Sequence, residues 1–150
     1  ILAGRRINDN MAFYLAKKVI HKMTVNGIDL KKSTVGVMGV TFKENCPDIR
    51  NSKILDIIGE LRNWGINVIV HDPWANPQEL KNKYGIKVDM INSKNQVDAL
   101  IVAVGHDEYR SKSAEELKSY CKGSHPVIAD VKSIYKIKDL TDQGFSVFRL

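Results

Sequence analysis

The segment of residues 35–53 constrains the fold of this chain more than any other. It passes from an apolar run at 35–40 into a polar loop that holds Lys43 and Arg50, and then into a helical pattern that begins near Ser52. A loop between a strand and its helix usually needs about two to six residues, and this one has roughly ten. Ligands of open α/β sheets bind beyond the carboxyl ends of the strands, so the long loop predicts a binding site there.

Length and composition predict one domain. The chain has 150 residues, of which 43% are hydrophobic, which is enough for one core and too few for two ordinary domains. It has no apolar run of about eighteen residues and no signal-peptide pattern, so we expect a soluble protein, and its cysteine usage favours the reducing cytoplasm. Its two cysteines, Cys46 and Cys121, have no CxxC spacing and no histidine pair nearby, which argues against a metal site and against a disulfide framework.

The net charge of +6 is compatible with nucleic acid, a membrane surface or a phosphorylated small molecule as partner. The distribution of charge decides between them. Basic residues are spread along the chain, with short pairs such as Arg5-Arg6 and Lys31-Lys32, and no basic stripe is interleaved with aromatic residues. We therefore expect neither a nucleic-acid nor a membrane partner.

Hydrophobic periodicity predicts strands that alternate with helices. We predict strands at 34–40, Asn67–His71, 98–104, 126–131 and 145–150, with a weak strand at 86–89. We predict helices at 8–23, 54–64, Pro77–Tyr84, 113–120 and 137–143. This pattern indicates an α/β fold, a Rossmann-like doubly wound parallel sheet of about six strands in the order 3-2-1-4-5-6, preceded by an N-terminal helix.

The N-terminal helix precedes the first strand and has its own apolar stripe. Asn8 or Asp9 is expected to cap its start, and Asn26-Gly27 to end it. The stripe should pack on the sheet or on a partner, and we expect an interface with a preceding region or with a second copy of the chain. Its residues are four apart, with Tyr14 alongside: Met11, Leu15, Val19 and Met23.

A dinucleotide fingerprint is not present after the first strand. Gly36 lies inside the predicted strand, and Phe42-Lys43 occupies the place where the last glycines of a GxGxxG motif should be. Asp72 ends the second strand, where a ribose-binding acid would lie, but Pro73 follows it and a simple turn is the favoured interpretation. We predict a Rossmann-shaped domain that does not bind a dinucleotide in the standard way.

Lys43 and Arg50 are the candidate binding residues. Both lie in the long loop, and the N-terminus of the next helix, capped by Asn51 or Ser52, adds its own affinity for anions. Against them stands the interpretation that they are solvated loop cations. Cys46 is interpreted as structural because no neighbouring histidine could activate it.

Two other polar positions leave alternatives open. His106-Asp107 follows the strand at 98–104, so the pair could contact a ligand, although a helix cap by Asp107 is favoured. Trp74 either stacks on a partner or covers the edge of the sheet.

Three motifs resemble those of the nucleotide-sugar 6-dehydrogenases, the UDP-glucose/GDP-mannose dehydrogenase family. They are Gly39-Val40-Thr41-Phe42-Lys43, then Asp48-Ile49-Arg50-Asn51-Ser52 at the start of a helix, and His71-Asp72-Pro73 at the end of the next strand. The resemblance is to the C-terminal UDP-binding domain. Residues 42–48 look most like the branch that oxidises UDP-N-acetylhexosamines for capsule, O-antigen or Vi-type polysaccharide. Residues 1–27 would then be the end of the central helical, dimerisation region, and 28–150 the UDP-sugar-binding domain.

The resemblance implies oxidation of a sugar C6 alcohol to a carboxylate, with two NAD per turnover through a thiohemiacetal on a cysteine. In the family, NAD binds mainly to an N-terminal domain, and both that domain and the catalytic cysteine precede the part matched here. We therefore expect no catalytic residue in this chain and no activity from it alone. Its expected partners are a UDP-sugar, its own N-terminal domain and a second copy, bound through the central helix.

The resemblance also implies roles for individual residues. Phe42 and Lys43 should contact the UDP-sugar, together with Arg5 or Arg6, and Arg50 should reach the NAD cofactor. The alternative function is a non-catalytic nucleotide- or CoA-binding regulatory module on the same sheet. A receiver-like signalling domain is disfavoured because the first strand does not end in paired acids.

Overall fold

A computed structural model describes the backbone of residues 2–150 and the side chains of residues 10–150. Within this range, parallel strands form one sheet in the order β2-β1-β3-β4-β5. The strands are β1 (Thr34–Met38), β2 (Asn67–His71), β3 (Ala99–Val102), β4 (Val127–Asp130) and β5 (Ser146–Phe148). The helices are α1 (Leu2–Val25), α2 (Ile54–Asn63), α3 (Pro77–Tyr84), α4 (Asp107–Arg110), α5 (Ala114–Ser119) and α6 (Ile137–Asp142), with a 3-10 turn at Leu30–Lys32.

The α/β class, the parallel sheet and the relative order of these strands are confirmed, but the predicted strand at 86–89 is wrong. That segment forms one parallel bridge, Val88 with Val70, beside β2. Gly85 ends α3 in the left-handed region at φ +64, and the N–H of Ile86 donates back into α3, so the helix end uses the first residue of the predicted strand. The sheet therefore has five strands within residues 2–150 rather than six.

The strands are apolar on both sides because helices cover both faces of the sheet. Side chains of β1 and β3 alternate between two cores. The core shared with α1, α2 and α3 includes Val35, Val37, Ala99 and Ile101. The core on the opposite face, with Tyr109 of α4, Leu117 of α5 and Leu140 of α6, includes Met38, Leu100 and Val102. This doubly wound arrangement leaves the carboxyl ends of the strands open to ligands.

The helix α1 begins earlier than predicted. It spans Leu2–Val25, so Asn8 and Asp9, the predicted caps, lie inside it and that prediction is wrong. A cap signal is a weak local preference, and a longer helical stretch overrides it. The predicted end is confirmed: Gly27 has φ +80, and the N–H of the next residue donates to the carbonyl of Met23 at 2.9 Å.

The apolar stripe of α1 packs on the chain's own core. Leu15, Val19 and Met23 are fully buried, and α1 contacts α2, β4 and β5. Packing on the sheet is thus confirmed, and the prediction that a separate partner covers these three side chains is wrong. Met11 remains 42% exposed, and Tyr14 lies edge-on to Phe148 of β5 with ring centroids 6.0 Å apart. The boundary between 1–27 and 28–150 stays a prediction.

No helix in the described part of the chain is both long and apolar enough to cross a bilayer.

Candidate functional site

The loop between β1 and α2, the cleft loop, covers residues 39–53 and is folded on itself. Gly39 leaves β1 with φ +97, and its N–H donates to the carbonyl of His71 at 2.8 Å. The N–H of Phe42 donates to the carbonyl of Asp48 at 2.7 Å and closes the base of the loop. These bonds hold the loop against the carboxyl end of the sheet, where the sequence predicted a site.

A cleft of about 260 Å³ lies at this end of the sheet. The β1–α2 loop, the start of α2, the segments after β3 and β4, and α1 all line it. Its lining includes Thr41, Phe42, Lys43, Glu44, Asn51, Ser52, Lys53 and Ile54 from the loop and the start of α2, Val104, Val131 and Lys132 from the segments after β3 and β4, and Met11, Ala12 and Leu15 from α1. The cleft therefore joins a polar, cationic side to an apolar wall.

Cations outnumber acids among the charged side chains that line the cleft. Lys43, Lys53 and Lys132 are on its surface, with Glu44 as the acid. The backbone N–H groups at the start of α2 add positive potential on the same side. Such a surface suits a phosphorylated ligand, with lysines acting as point charges on its oxygens.

The start of α2 differs from the prediction. Lys53, rather than Asn51 or Ser52, occupies the position before the first helical residue. Asn51 has φ +58, a left-handed conformation that Asn tolerates. The Ser52 hydroxyl is buried with no hydrogen-bond partner among the described residues, at the lining of the cleft. The predicted cap is therefore wrong, because the turn at Asn51 shifts the start of α2 to Ile54 and leaves Lys53 at the cap position.

Arg50 is not among the described residues that line the cleft. Its side chain is 79% exposed and forms an ion pair with Asp48. Hydrogen bonds from the Arg50 guanidinium and backbone hold the pKa of the Asp48 carboxyl below its usual value. The structure thus separates the two cations singled out from the sequence: Lys43 lies in the cleft and Arg50 on the exposed side of the loop. Arg5 and Arg6 lie within α1, and their side chains are outside the described residues.

Asp72 directly follows β2 as a buried turn acid, as the turn interpretation predicts. Its Oδ1 accepts from the N–H groups of Trp74 at 2.7 Å and Ala75 at 3.0 Å. Its Oδ2 accepts from the N–H groups of Val40 at 2.7 Å and Thr41 at 3.2 Å. One carboxylate therefore ties the end of β2 to the start of the cleft loop.

His106 is fully buried beside Asp72, and it is not among the described residues that line the cleft. Its Nε2 lies 3.1 Å from Asp72 Oδ2, and its Nδ1 accepts from the N–H of Asn45 at 2.9 Å. Burial acts to raise the pKa of Asp72, but the hydrogen bonds from His106 and from backbone N–H groups outweigh it and leave that pKa lowered. Asp107 is the first residue of α4 and not its cap, so that prediction is wrong.

Trp74 covers this cluster from outside. Its ring centroid lies 6.2 Å from that of His106, and its indole N–H donates to Glu108 at 3.0 Å. Within this chain, Trp74 therefore packs over the end of the sheet.

Neither cysteine has the setting of a nucleophile. Cys46 is half-buried in the cleft loop and is not among the described residues that line the cleft. Cys121 is buried, and burial raises the pKa of its thiol to about 12. The described residues contain no group of His, Cys, Asp and Glu side chains that could hold a metal ion. What the site can do chemically is bind and orient an anionic ligand.

Lys132 is a lining residue that the sequence reasoning missed. It follows the buried strand β4 by two positions, at the same edge of the sheet as Lys43. A basic residue directly after a buried parallel strand is the signal that would have identified it, since such positions meet at the ligand-binding edge.

Comparison with known proteins places these features in a family. The model of the UDP-glucose/GDP-mannose dehydrogenase family, UDP binding domain, matches residues 36–137. The chain is 41% identical over 134 residues to a UDP-N-acetyl-D-glucosamine 6-dehydrogenase of Salmonella typhi, covering 89% of this chain and 31% of that protein. It is 38% identical over 150 residues to the enzyme of the same name from Pseudomonas aeruginosa, covering 100% of this chain and 34% of that protein.

Further matches agree. Protein CapL of Staphylococcus aureus is 42% identical over 142 residues, 93% of this chain and 31% of that protein. The fold is similar to that of NDP-N-acetyl-D-galactosaminuronic acid dehydrogenase from Methanosarcina mazei Go1, with a TM-score of 0.87 at 23% identity, over 99% of this chain and 30% of that one. The chain spans about a third of the length of these relatives. On its motifs, its fold and these matches, this chain belongs to the UDP-binding domain family of the UDP-glucose/GDP-mannose dehydrogenases.

Proposed function

We propose that this chain is the UDP-sugar-binding, C-terminal domain of an NAD-dependent UDP-N-acetylhexosamine 6-dehydrogenase that acts in the cytoplasm in surface-polysaccharide synthesis. The observation that carries the proposal is the cationic cleft at the carboxyl end of the sheet, on the motif segment Phe42-Lys43. The printed names of relatives, UDP-N-acetyl-D-glucosamine 6-dehydrogenase and Protein CapL, support the choice of substrate class and pathway.

In this proposal the cleft receives the nucleotide part of the substrate. Lys43 and Lys132 both neutralise the diphosphate, because both line the same cleft. Phe42 is 60% exposed, which leaves its ring available to pack on the base or the sugar. The chain's own residues thus bind and orient the UDP-sugar, and Arg5 or Arg6 completes the contacts.

The cleft does not fit NAD as a standard dinucleotide site. The segment after β1 lacks the glycine-rich turn that a dinucleotide site needs. The glycine that does leave β1, Gly39, packs against the chain itself, because an added Cβ there would come within 2.6 Å of the Val104 Cβ. Arg50 fits a contact with NAD held by another domain, because its guanidinium is exposed outside the cleft. When bound there, NAD would supply the hydride acceptor, while this chain holds the substrate. Assembly with a second copy through α1 belongs to the same proposal.

Calorimetric titration of the chain with UDP tests the binding function. We expect UDP to bind more tightly than uridine, ATP or CoA. Removing a charge-assisted contact costs about 1.5–3 kcal/mol, so Lys43→Ala should weaken UDP binding about ten- to a hundred-fold. Lys31→Ala is the matched control, because Lys31 is an exposed lysine of the 3-10 turn and is not among the described residues that line the cleft.

Three results would contradict the proposal. They are absence of UDP binding, equal effects of the two lysine variants, and a preference for CoA, which would favour a regulatory module. The chain alone should not reduce NAD in the presence of a UDP-N-acetylhexosamine, and any reduction by a pure sample would contradict the expectation that the catalytic cysteine lies elsewhere.

A further inference from the structure

The buried His106 ring connects three loops at the carboxyl end of the sheet. The ring belongs to the segment between β3 and α4, and it contacts Asp72 after β2 and both Thr41 and Asn45 in the cleft loop. The side chains of His106 and Asp72 are both 0% exposed, so solvent does not compete for these bonds.

The donors and acceptors around the ring fix its tautomer. A backbone N–H can only donate, so the bond from Asn45 requires an unprotonated Nδ1, and the ring hydrogen lies on Nε2. The carboxylate of Asp72 accepts that hydrogen at 3.1 Å. Thr41 Oγ1, 3.3 Å from Nε2, shares it, because the Thr41 hydroxyl donates its own hydrogen to the carbonyl of Lys43 at 2.9 Å.

These bonds bracket Lys43 in the chain. On one side, His106 reaches the Lys43 carbonyl through the Thr41 hydroxyl. On the other side, it fixes the N–H of Asn45, a residue in the left-handed conformation at φ +54. The backbone that presents Phe42 and Lys43 to the cleft is therefore held at both ends by one imidazole.

We propose that His106 is a positioning residue of the nucleotide site, which it orients through the backbone of Lys43 without touching the ligand. The inference rests on the proposed function, since it concerns the same cleft. The two ring nitrogens have different hydrogen-bond partners. Nε2 joins Asp72, which also accepts four backbone N–H groups, two of them from the start of the cleft loop, so Asp72 holds Thr41 without the ring. The Thr41 hydroxyl likewise keeps its own bond to the Lys43 carbonyl. Nδ1, in contrast, accepts directly from the N–H of Asn45 farther along the loop.

Two substitutions separate these roles. His106→Asn keeps an acceptor near the position of Nδ1 and loses the donor to Asp72. His106→Gln keeps a donor near the position of Nε2 and loses the acceptor for Asn45. We expect His106→Gln to weaken UDP binding about ten-fold and to lower the melting temperature less than His106→Asn does. We expect His106→Asn to melt at a lower temperature and to bind UDP within about two-fold of the wild type.

Amide hydrogen exchange of the free chain supplies a readout that a purely structural role would not move. In His106→Gln, exchange should accelerate at residues 42–45 while β1 and β3 keep their protection. His125→Gln is the control, because it makes the same substitution at an exposed histidine that is not among the described residues lining the cleft, so its exchange at 42–45 and its UDP affinity should stay near wild type.

The outcomes are distinct. If the wild-type chain binds UDP but both His106 variants lose affinity and melting temperature in parallel, or His106→Gln binds as the wild type does, the positioning role is overturned and the binding function stands. If the wild-type chain does not bind UDP, the proposed function fails, and the positioning role fails with it.

Discussion

The Arg50 side chain donates two hydrogen bonds to the carboxylate of Asp48. Its Nε donates to Oδ1 at 3.0 Å and its Nη2 donates to Oδ2 at 3.1 Å. The backbone N–H of Arg50 also donates to Oδ1 at 2.9 Å. An exposed pair of this kind contributes little to stability, but its two parallel bonds fix the orientation of the guanidinium.

The first prediction concerns the separate roles of Arg50 and Lys43 in the full-length enzyme. Arg50→Ala should raise the KM for NAD about ten- to a hundred-fold and leave that for the UDP-sugar nearly unchanged. Lys43→Ala should raise the KM for the UDP-sugar by a similar factor and leave the KM for NAD nearly unchanged. Steady-state kinetics with each substrate varied separately, together with thermal melts, measure both. Unchanged kinetics in both variants, or loss of fold in place of loss of binding, would show that the loop cations are merely solvated.

The second prediction concerns the close approach of Gly39 to Val104. An added Cβ would lie 2.6 Å from the Val104 Cβ, at a residue with φ +97. Gly39→Ala should therefore lower the free energy of unfolding by more than the roughly 1–3 kcal/mol that backbone strain alone costs. Gly65→Ala is the control, because it has φ +79 and open space around it. Equal losses in urea denaturation would show that the contact with Val104 is not limiting.

The third prediction concerns pH. The pKa of Asp72 is lowered in the folded chain from its ordinary value of 3.8, so its contribution to stability is fully present above that value. The contribution is lost as the pH falls through the lowered pKa. Asp72→Asn should be less stable than wild type at neutral pH and should lose less stability on acidification. Thermal melts between neutral pH and pH values below 3.8 test this prediction. Asp139→Asn is the control, because Asp139 is an exposed acid of α6. If Asp72→Asn lost as much stability on acidification as the wild type, the prediction would be refuted.

The fourth prediction concerns the thiols. Burial raises the pKa of Cys121 to about 12, and its Sγ donates to the carbonyl of Leu117. Iodoacetamide should therefore modify the half-buried Cys46 first and leave Cys121 unmodified in the folded chain. In denaturant both should react. Peptide mass spectrometry reads both sites, and native-state labelling of Cys121 would contradict its placement in the core.

Local signals in the sequence were sufficient for some elements. β2 at Asn67–His71 and α3 at Pro77–Tyr84 have the predicted bounds, because Gly, Pro and Asn punctuate the chain on either side. Gly27 likewise ends the first helix as expected. The sequence also singles out Lys43, which lines the cleft, because Lys43 lies in the long loop directly after a buried strand.

Other features depend on contacts that sequence spacing does not reveal. The bond from Asn45 to His106 joins residues 61 positions apart, so nothing local distinguishes this histidine from a ligand-binding one. Lys132 reaches the cleft only through the placement of β4 beside β3. The sequence predicts a strand where the structure has a single bridge at Val88, because a short apolar alternation does not show how many of its residues find partners.

α1 belongs to the core and to the cleft at the same time. Leu15 and Ala12 are buried in the hydrophobic core and also line the cleft, together with the Phe42-Lys43 segment. Packed interiors resist compression, so a helix held in this way cannot tilt without displacing that wall. A change in the direction of α1 would therefore also change the width of the cleft.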